Sequence, residues 1–292
     1  MNHRSGFVNI LGNPNVGKST IMNALVGEKL SIITAKAQTT RHRIMGIVNG
    51  EDFQIVYSDT PGILRPQYKL QETMMNFVNS ALTDADMILY DTDVLEHAAF
   101  EGEYIDKIKE SGIPVIIAVN KVDLTNQEEL EKVVELWHIA FPGSPVIPVS
   151  GLKCFNLDSL LNAILAKLPE SPAYFPKDQL TDKYERFFAS EIIREKILIN
   201  YKKEIPYSVE IEIEEFKDEK KILKIRALIH VTRDSQKGII IGHKGVLLKK
   251  VGTEARRDME DFFRKKVFLE IYVKVTKDWR DKPLILKRFG YR

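Results

Sequence analysis

The run Val8-Asn9-Ile10-Leu11-Gly12-Asn13-Pro14-Asn15-Val16-Gly17-Lys18-Ser19-Thr20 decides how the first half of this chain reads. It has the form G-x-x-x-x-G-K-S/T, with an apolar run in front and Ile21-Met22-Asn23-Ala24-Leu25-Val26 behind. A strand, a tight loop and a helix start, in that order, aim loop N–H groups and the positive end of a helix at one anion. Gly12 and Gly17 allow backbone angles and a close approach that a side chain would forbid. A loop of this kind cradles phosphates with Asn13, Asn15, Val16, Gly17 and Thr20. It brings Lys18 to the β- and γ-phosphates of a nucleotide and the Ser19 hydroxyl to Mg²⁺.

Downstream, Ala35 to Arg43 is polar and aperiodic, and Ile44 to Val48 is mostly apolar. Phe53 to Tyr57 then alternates as a strand and ends in Ser58-Asp59-Thr60-Pro61-Gly62. An acid at the carboxyl end of a strand beside the phosphate loop can hold Mg²⁺ through Asp59, and Gly62 can present an unobstructed N–H to a γ-phosphate. Alone, Asp-Thr-Pro-Gly is also an ordinary turn. Ala85 to Tyr90 reads as a strand, and a helix around Glu103 to Lys109 stops at Gly112. Ile113 to Val119 is continuously apolar and rich in β-branched residues, as expected of a parallel strand covered on both faces. Helices at Leu130–Phe141 and Asp158–Leu168 bracket a strand at Val146–Val149. The expected fold class is α/β, a doubly wound, mostly parallel sheet with its site at the carboxyl edge.

Asn120-Lys121-Val122-Asp123 follows the most apolar of these strands. A carboxylate at Asp123 can accept from guanine N1–H and the 2-amino group together, whereas adenine lacks that amino group and leaves the carboxylate unpaired. Such charge-assisted bonds are worth about 1.5–3 kcal/mol each. Lys121 is expected along the base plane, with the Ser150-Gly151 backbone, next to Leu152, meeting guanine O6. The cofactor expected at this edge is therefore GTP or GDP with Mg²⁺.

In order and spacing these motifs resemble those of translation-factor-type GTPases, and Pro14-Asn15 with Thr40-Arg41 is similar to the branch containing the Era and tRNA-modification GTPases. The resemblance implies that Lys18, Asn15, Thr40 and Gly62 serve catalysis, with Ser19, Thr40 and Asp59 around Mg²⁺. It also implies K⁺ at Asn15. Ile63 stands where Ras-like relatives carry a water-orienting Gln, and an apolar side chain cannot orient water. Gly151 replaces the usual Ala. Asp91 interrupts a run that is apolar in relatives, and Asp93 matches the family's strand-end acid.

At 292 residues the chain is long enough for two domains, and 44% hydrophobic with 29% charged residues is a globular balance. No apolar run reaches membrane-span length, and the N-terminus enters a strand too soon to leave room for a signal peptide. A lone Cys154 excludes an intrachain disulfide, and the six His show no zinc spacing. Residues 1–175 hold 14 Lys+Arg and 21 Asp+Glu, a balance of −7; residues 176–292 hold 29 and 20, a balance of +9. That asymmetry suits a polyanion partner for the second part. Pro169, Pro172 and Pro176 mark a semi-rigid connector, which places a GTPase domain at 1–175 and a second domain at 176–292.

In the second part a helix at Tyr184–Asn200 precedes alternating strands at Val209–Ile213 and Ile222–Val231, with Lys217 to Lys220 as their turn. Then come Lys237, Gly238, Ile239, Ile240, Ile241, Gly242, His243, Lys244 and Gly245, a helix at Val246–Phe263 and a strand at Val267–Val275. This order resembles an α+β KH domain of the second topological type. In such domains a GXXG loop clamps a nucleotide backbone beside an apolar groove. Gly242 to Gly245 is that loop, with Lys237 and Lys244 as charge and Ile240 and Ile241 in the groove or the core beneath it. Lys249, Lys250, Arg256 and Arg257 could widen the contact or simply face water. The tail from Trp279 to Arg292, with Leu284, Leu286 and Phe289, is expected to pack on this domain.

Over nearly the whole chain the two parts together resemble the Era family of ribosome-assembly GTPases. That implies a cytoplasmic GTP-hydrolysing switch whose KH domain binds the 3′ region of 16S ribosomal RNA and which assists maturation of the small (30S) subunit. It leaves open a peripheral association with the inner face of the cell membrane and indicates no obligate protein partner. Two other readings remain at this point. A tRNA-modification GTPase would need a reactive Cys or a cofactor domain, and an RNA-binding adaptor would hold nucleotide without turning it over.

Overall fold

The computed structural model describes residues 3–95 and 102–291. Five parallel-paired strands and one antiparallel edge strand make the first sheet, in the order β2-β3-β1-β4-β5-β6. The strands are β1 (Arg4–Leu11), β2 (Ile44–Asn49), β3 (Phe53–Asp59), β4 (Met87–Asp93), β5 (Val115–Asn120) and β6 (Val146–Pro148). Only β2, paired with β3, runs antiparallel. Every residue of β4 and β5 is buried, because helices cover both faces of the sheet. Those helices are α1 (Lys18–Val26), α2 (Lys69–Thr83), α3 (Glu103–Glu110), α4 (Gln127–Ala140) and α5 (Leu157–Lys167). Helix α2 has no counterpart in the sequence reading above. Residues after β1, β3, β5 and β6 all leave the carboxyl edge, so the motifs of four loops meet there.

The second unit is built from α6 (Glu185–Asn200), β7 (Glu210–Asp218), β8 (Ile222–Val231), α7 (Asp234–Ile241), α8 (Val246–Phe263), β9 (Lys266–Val275) and a short α9 (Pro283–Arg288). Its sheet has the order β7-β8-β9, with β7 antiparallel and β9 parallel to the central β8. Helices α6, α7 and α8 supply Ile193, Ile197, Ile240, Val251, Ala255 and Met259 to a core against Ile225, Ala227 and Ile229 of β8. Arg194 on α6 is buried and donates two hydrogen bonds to Glu191, Nε to Oε1 at 2.7 Å and Nη2 to Oε2 at 2.6 Å. A buried Arg must be paired in this way, since desolvation without a partner costs several kcal/mol.

The tail docks on this second core through Trp279, whose Nε1–H donates to the Ser208 carbonyl (3.1 Å), and through Tyr291, whose hydroxyl donates to Glu210 Oε2 (2.7 Å). Leu286 is buried but Leu284 is 85% exposed, so only one of the two expected leucines packs. Arg292 lies outside the described residues.

The chain forms two compact units that divide at Asp182/Lys183 rather than at residue 175, with Pro66–Thr73 belonging to the second. The proline-rich connector does not leave the first unit where composition suggests. Thr181 bridges to Gly46 at the edge strand β2 and its hydroxyl donates to the Met45 carbonyl (2.6 Å). Asp182 Oδ1 accepts from Met45 N (2.9 Å). An edge strand offers unpaired backbone groups, and the connector satisfies them. Among the described residues no helix is long and apolar enough to cross a membrane.

Candidate functional site

A cavity of about 480 Å³ opens at the carboxyl edge of the first sheet, within the size range of small-molecule sites. Asn15, Gly17, Lys18, Ser19 and Thr20 line one side, Thr40 and Gly62 a second, and Asn120, Lys121, Asp123, Ser150 and Leu152 a third. The structure therefore brings together residues far apart in sequence that the motifs select. Asn13, Val16, Asp59 and Gly151 do not line it. Asn13 contributes its carbonyl to Lys18, and Val16 is buried beneath the loop. Ile32, Ile33, Thr34 and Gln38 also line the cavity and belong to no motif, while Thr60 enters it from the Asp-Thr-Pro-Gly turn.

The Lys18 ammonium is nearly buried and donates to the carbonyls of Gly12 (3.0 Å) and Asn13 (2.6 Å). These are neutral acceptors within reach of the loop, which a phosphate would replace with charged ones. Gly17 begins the helix with φ of 124°, and a Cβ placed on it would come within 2.2 Å of Asn120 Nδ2. Gly17→Ala is accordingly expected to weaken nucleotide binding about five- to a hundredfold, since such backbone strain costs about 1–3 kcal/mol. Titration with a fluorescent guanine nucleotide, with thermal unfolding as the folding check, measures it; unchanged affinity would remove the loop from the site.

Ser19, Thr40 and Asp59 converge. Ser19 Oγ donates to Asp59 Oδ2 (2.7 Å), Thr40 Oγ1 donates to the same oxygen (3.1 Å), and the two hydroxyls lie 2.9 Å apart. Asp59 Oδ1 is buried without a hydrogen-bond partner. Burial pushes the Asp59 carboxyl above the ordinary carboxylate range, against the Ser19 hydroxyl and the Lys18 charge. A set of hard oxygen donors with an orphaned carboxylate oxygen fits Mg²⁺, which takes one or two carboxylates and completes its shell with water and phosphate. Among the described residues there is no cluster of three or more His, Cys, Asp or Glu side chains for a metal.

The base-side residues form a linked frame. Asn120 donates through Nδ2 to the Val16 carbonyl (3.1 Å), while its Oδ1 accepts from Lys121 N (2.8 Å) and Gly151 N (3.1 Å). One side chain thus ties the phosphate loop to both base loops. Gly151 N–H, expected at guanine O6, is engaged instead with Asn120; a Cβ at Gly151 would lie 3.0 Å from Ile21 Cγ1. Lys121 Nζ spans the phosphate loop to Asn15 O (2.6 Å) and Asp93 Oδ2 (2.5 Å), so Asp93 acts as its anchor. Asp123 is exposed, with Oδ1 held by the Ser150 hydroxyl at 2.5 Å and Oδ2 facing no such donor. Ile63 does not line the cavity; it is half-buried and packs against the core cluster of this domain.

In the second unit, Gly242 follows α7 with φ of 72°, and a Cβ there would fall 2.9 Å from Leu247. His243 and Lys244 are exposed, and Lys244 sits in the left-handed region at φ of 50°. Ile240 is fully buried and its carbonyl accepts from Tyr201 Oη (2.6 Å), which places it in the core and not in a groove. The apolar surface beside the loop is made instead by Ile239, Val246 and Leu247, 46%, 64% and 38% exposed. Sequence alone could not set the phase of α7 that separates Ile239 from Ile240. Lys237 and Ile241 are half-buried. Arg256 is paired with Glu260 at 2.9 Å, and Lys250 lies 3.8 Å from Glu254, so that helix face is partly neutralised by its own acids.

Fold and site define a class, a phosphate-loop GTPase domain followed by a KH domain. The family described as 50S ribosome-binding GTPase matches residues 7–121, and the KH domain family matches residues 204–280. The GTPase Era of Syntrophus aciditrophicus is 44% identical over 99% of this chain and 95% of its own length, and that of Clostridium kluyveri is 43% identical over 99% of both. Among solved structures, Era in complex with MgGDPNP and nucleotides 1506–1542 of 16S ribosomal RNA superposes with a TM-score of 0.95 at 39% identity, covering 99% of each chain. An Aquifex aeolicus Era variant bound to GDP and AlF4⁻ gives 0.94 at the same identity and coverage. The chain belongs to the Era family and is a GTPase that binds GTP and GDP.

Proposed function

We propose that this GTPase is a switch that binds the 3′ region of 16S ribosomal RNA through the Gly242–Gly245 loop and assists maturation of the small ribosomal subunit in the cytoplasm. The observation that carries the reading is that one chain joins a phosphate-loop cavity to an exposed, Gly-framed KH loop. A relative of the same two-domain build has been solved with a GTP analogue and that RNA segment together. The first unit, up to Asp182, does the hydrolysis, and the second holds the RNA. Any contact with a membrane is peripheral, at its inner face.

Nucleotide entry moves Lys18 from the Gly12 and Asn13 carbonyls to the phosphates, and the loop N–H groups hold the anion. Ser19, Thr40 and Asp59 would hold Mg²⁺, which would supply positive charge against the negative charge that develops on the phosphates. Thr40 and the Gly62 N–H close on the γ-phosphate and are released after hydrolysis, which alters the segments that carry them. Asp123 reads the guanine edge. Phosphate release under multiple turnover, with and without an RNA of the 16S 3′ sequence, tests the reading. RNA-stimulated turnover supports it; no turnover in either condition would leave only a nucleotide-holding adaptor.

Ile63 cannot orient water, so the transition-state charge is met in another way, and K⁺ held at Asn15 is the group we assign to it. Asn15 lines the cavity and is exposed, with φ of 67°, so it can face a phosphate. Replacing K⁺ by Na⁺ is expected to slow RNA-stimulated turnover about tenfold or more, on the scale of losing one electrostatic contact to the transition state. Equal rates in the two salts would remove K⁺ from the site.

A further inference from the structure

Asp91 has no part in the functions derived so far. It lies on β4 opposite Ala118 of β5, is 0% exposed, and neither of its carboxyl oxygens has a hydrogen-bond partner. The carboxyl backs directly onto the phosphate loop. A Cβ placed on Gly17 would come 3.6 Å from Asp91 Oδ2, and one on Gly12 would meet the Asp91 carbonyl at 2.0 Å. The groups that face it come from three elements: Lys18 at the start of α1, Asp93 further along β4, and Asn120 and Lys121 at the end of β5. Burial raises its pKa well above the ordinary range. Lys18 is the strongest opposing influence, followed by the Asn120 amide; Asp93 adds to the rise, and Lys121 opposes it.

Lys18 is thus the main counter-charge of a buried acid and, by the reading above, the ligand of the phosphates. We propose that Asp91 is a proton-linked positioning residue of the phosphate loop, whose carboxylate takes up a proton from solvent when a nucleoside polyphosphate binds. The polyphosphate draws the Lys18 charge toward itself and adds negative charge on the far side of Gly17. Both changes disfavour an ionised Asp91. In its neutral form the carboxyl no longer competes for the Lys18 ammonium, which is then free to settle on the phosphates. The bound state holds the proton more tightly than the free state, so linkage makes affinity fall as pH rises through the titration of Asp91 in the free protein. The fall is at most about tenfold per pH unit for one proton.

This inference rests on the nucleotide site at the phosphate loop, and the test separates the two. GDP is titrated calorimetrically into the full-length protein at a series of pH values above 7.5, each in two buffers of different ionisation enthalpy. The terminal phosphate is already ionised there, its second pKa being about 6. The wild type is expected to take up a measurable fraction of one proton, and Asp91→Asn, which keeps the shape and stays neutral, none. As pH rises through that series the wild type should lose affinity relative to the variant. Guanosine, which brings no phosphate, should bind the wild type without this uptake, and that comparison holds even if the variant does not fold. Equal proton uptake by the wild type and Asp91→Asn, or by GDP and guanosine, overturns the proposal. A wild type that binds GDP without uptake also overturns it, whereas absence of GDP binding overturns the nucleotide site with it.

Discussion

His243→Asp combined with Lys244→Asp is expected to weaken single-stranded RNA binding about a hundredfold or more while leaving guanine-nucleotide affinity unchanged. Phosphates approaching Gly242 and Gly245 would meet two carboxylates in place of an imidazole and an ammonium. Like charges a few ångströms apart repel strongly even when partly solvated. Both side chains are exposed, so the fold should be kept, and the cavity for nucleotide is lined only by residues between Pro14 and Leu152. In the wild type, affinity should fall with added salt, with a log–log slope of about −0.7 for each phosphate contacted. Fluorescence anisotropy with a labelled 16S 3′ oligonucleotide measures both. If the double variant binds RNA at full strength, other basic faces carry the RNA and the loop assignment fails.

Asp123→Asn should weaken GTP binding by about a hundredfold or more and let xanthosine triphosphate compete. On the proposed reading two charge-assisted bonds to guanine, at about 1.5–3 kcal/mol each, would depend on this carboxylate. Loss of such a bond at a site built for it can cost discrimination of about 10⁴-fold. An amide in the same place can donate to the 2-oxo group of xanthine, which reverses the preference. Ser150 Oγ can still donate to the amide oxygen, so the frame around Asn120 and Gly151 should persist. Calorimetry with GTP and xanthosine triphosphate decides it, and an unchanged GTP affinity would place base recognition elsewhere.

Much of the cavity lining was readable because its motifs are contiguous in sequence. Gly12 to Thr20 specifies a loop and a helix start within nine residues, and Asn120 to Asp123 presents its side chains from a single strand end. Strand and helix order followed from periodicity, since one buried face imposes period two and a helical stripe period three to four. Helix α2, absent from the sequence-based expectation, buries Leu70, Met74, Val78 and Ala81 along one face. The domain boundary was placed early because prolines mark a connector by composition, while its attachment to Met45 through Thr181 and Asp182 is a pairing with a strand more than 130 residues away.

Amino-acid order was therefore enough for the two-domain plan, the GTPase motifs and the KH loop, because each is encoded in neighbours along the chain. Other matters were settled only by packing between distant segments. These include the burial of Ile240 with Ile239 left exposed, the engagement of Gly151 N–H by Asn120, the packing of half-buried Ile63 against the core, and the seating of Asp91 behind Gly17. A side chain's chemistry is local, but its solvent exposure, its partner and hence its charge depend on what the rest of the fold places against it.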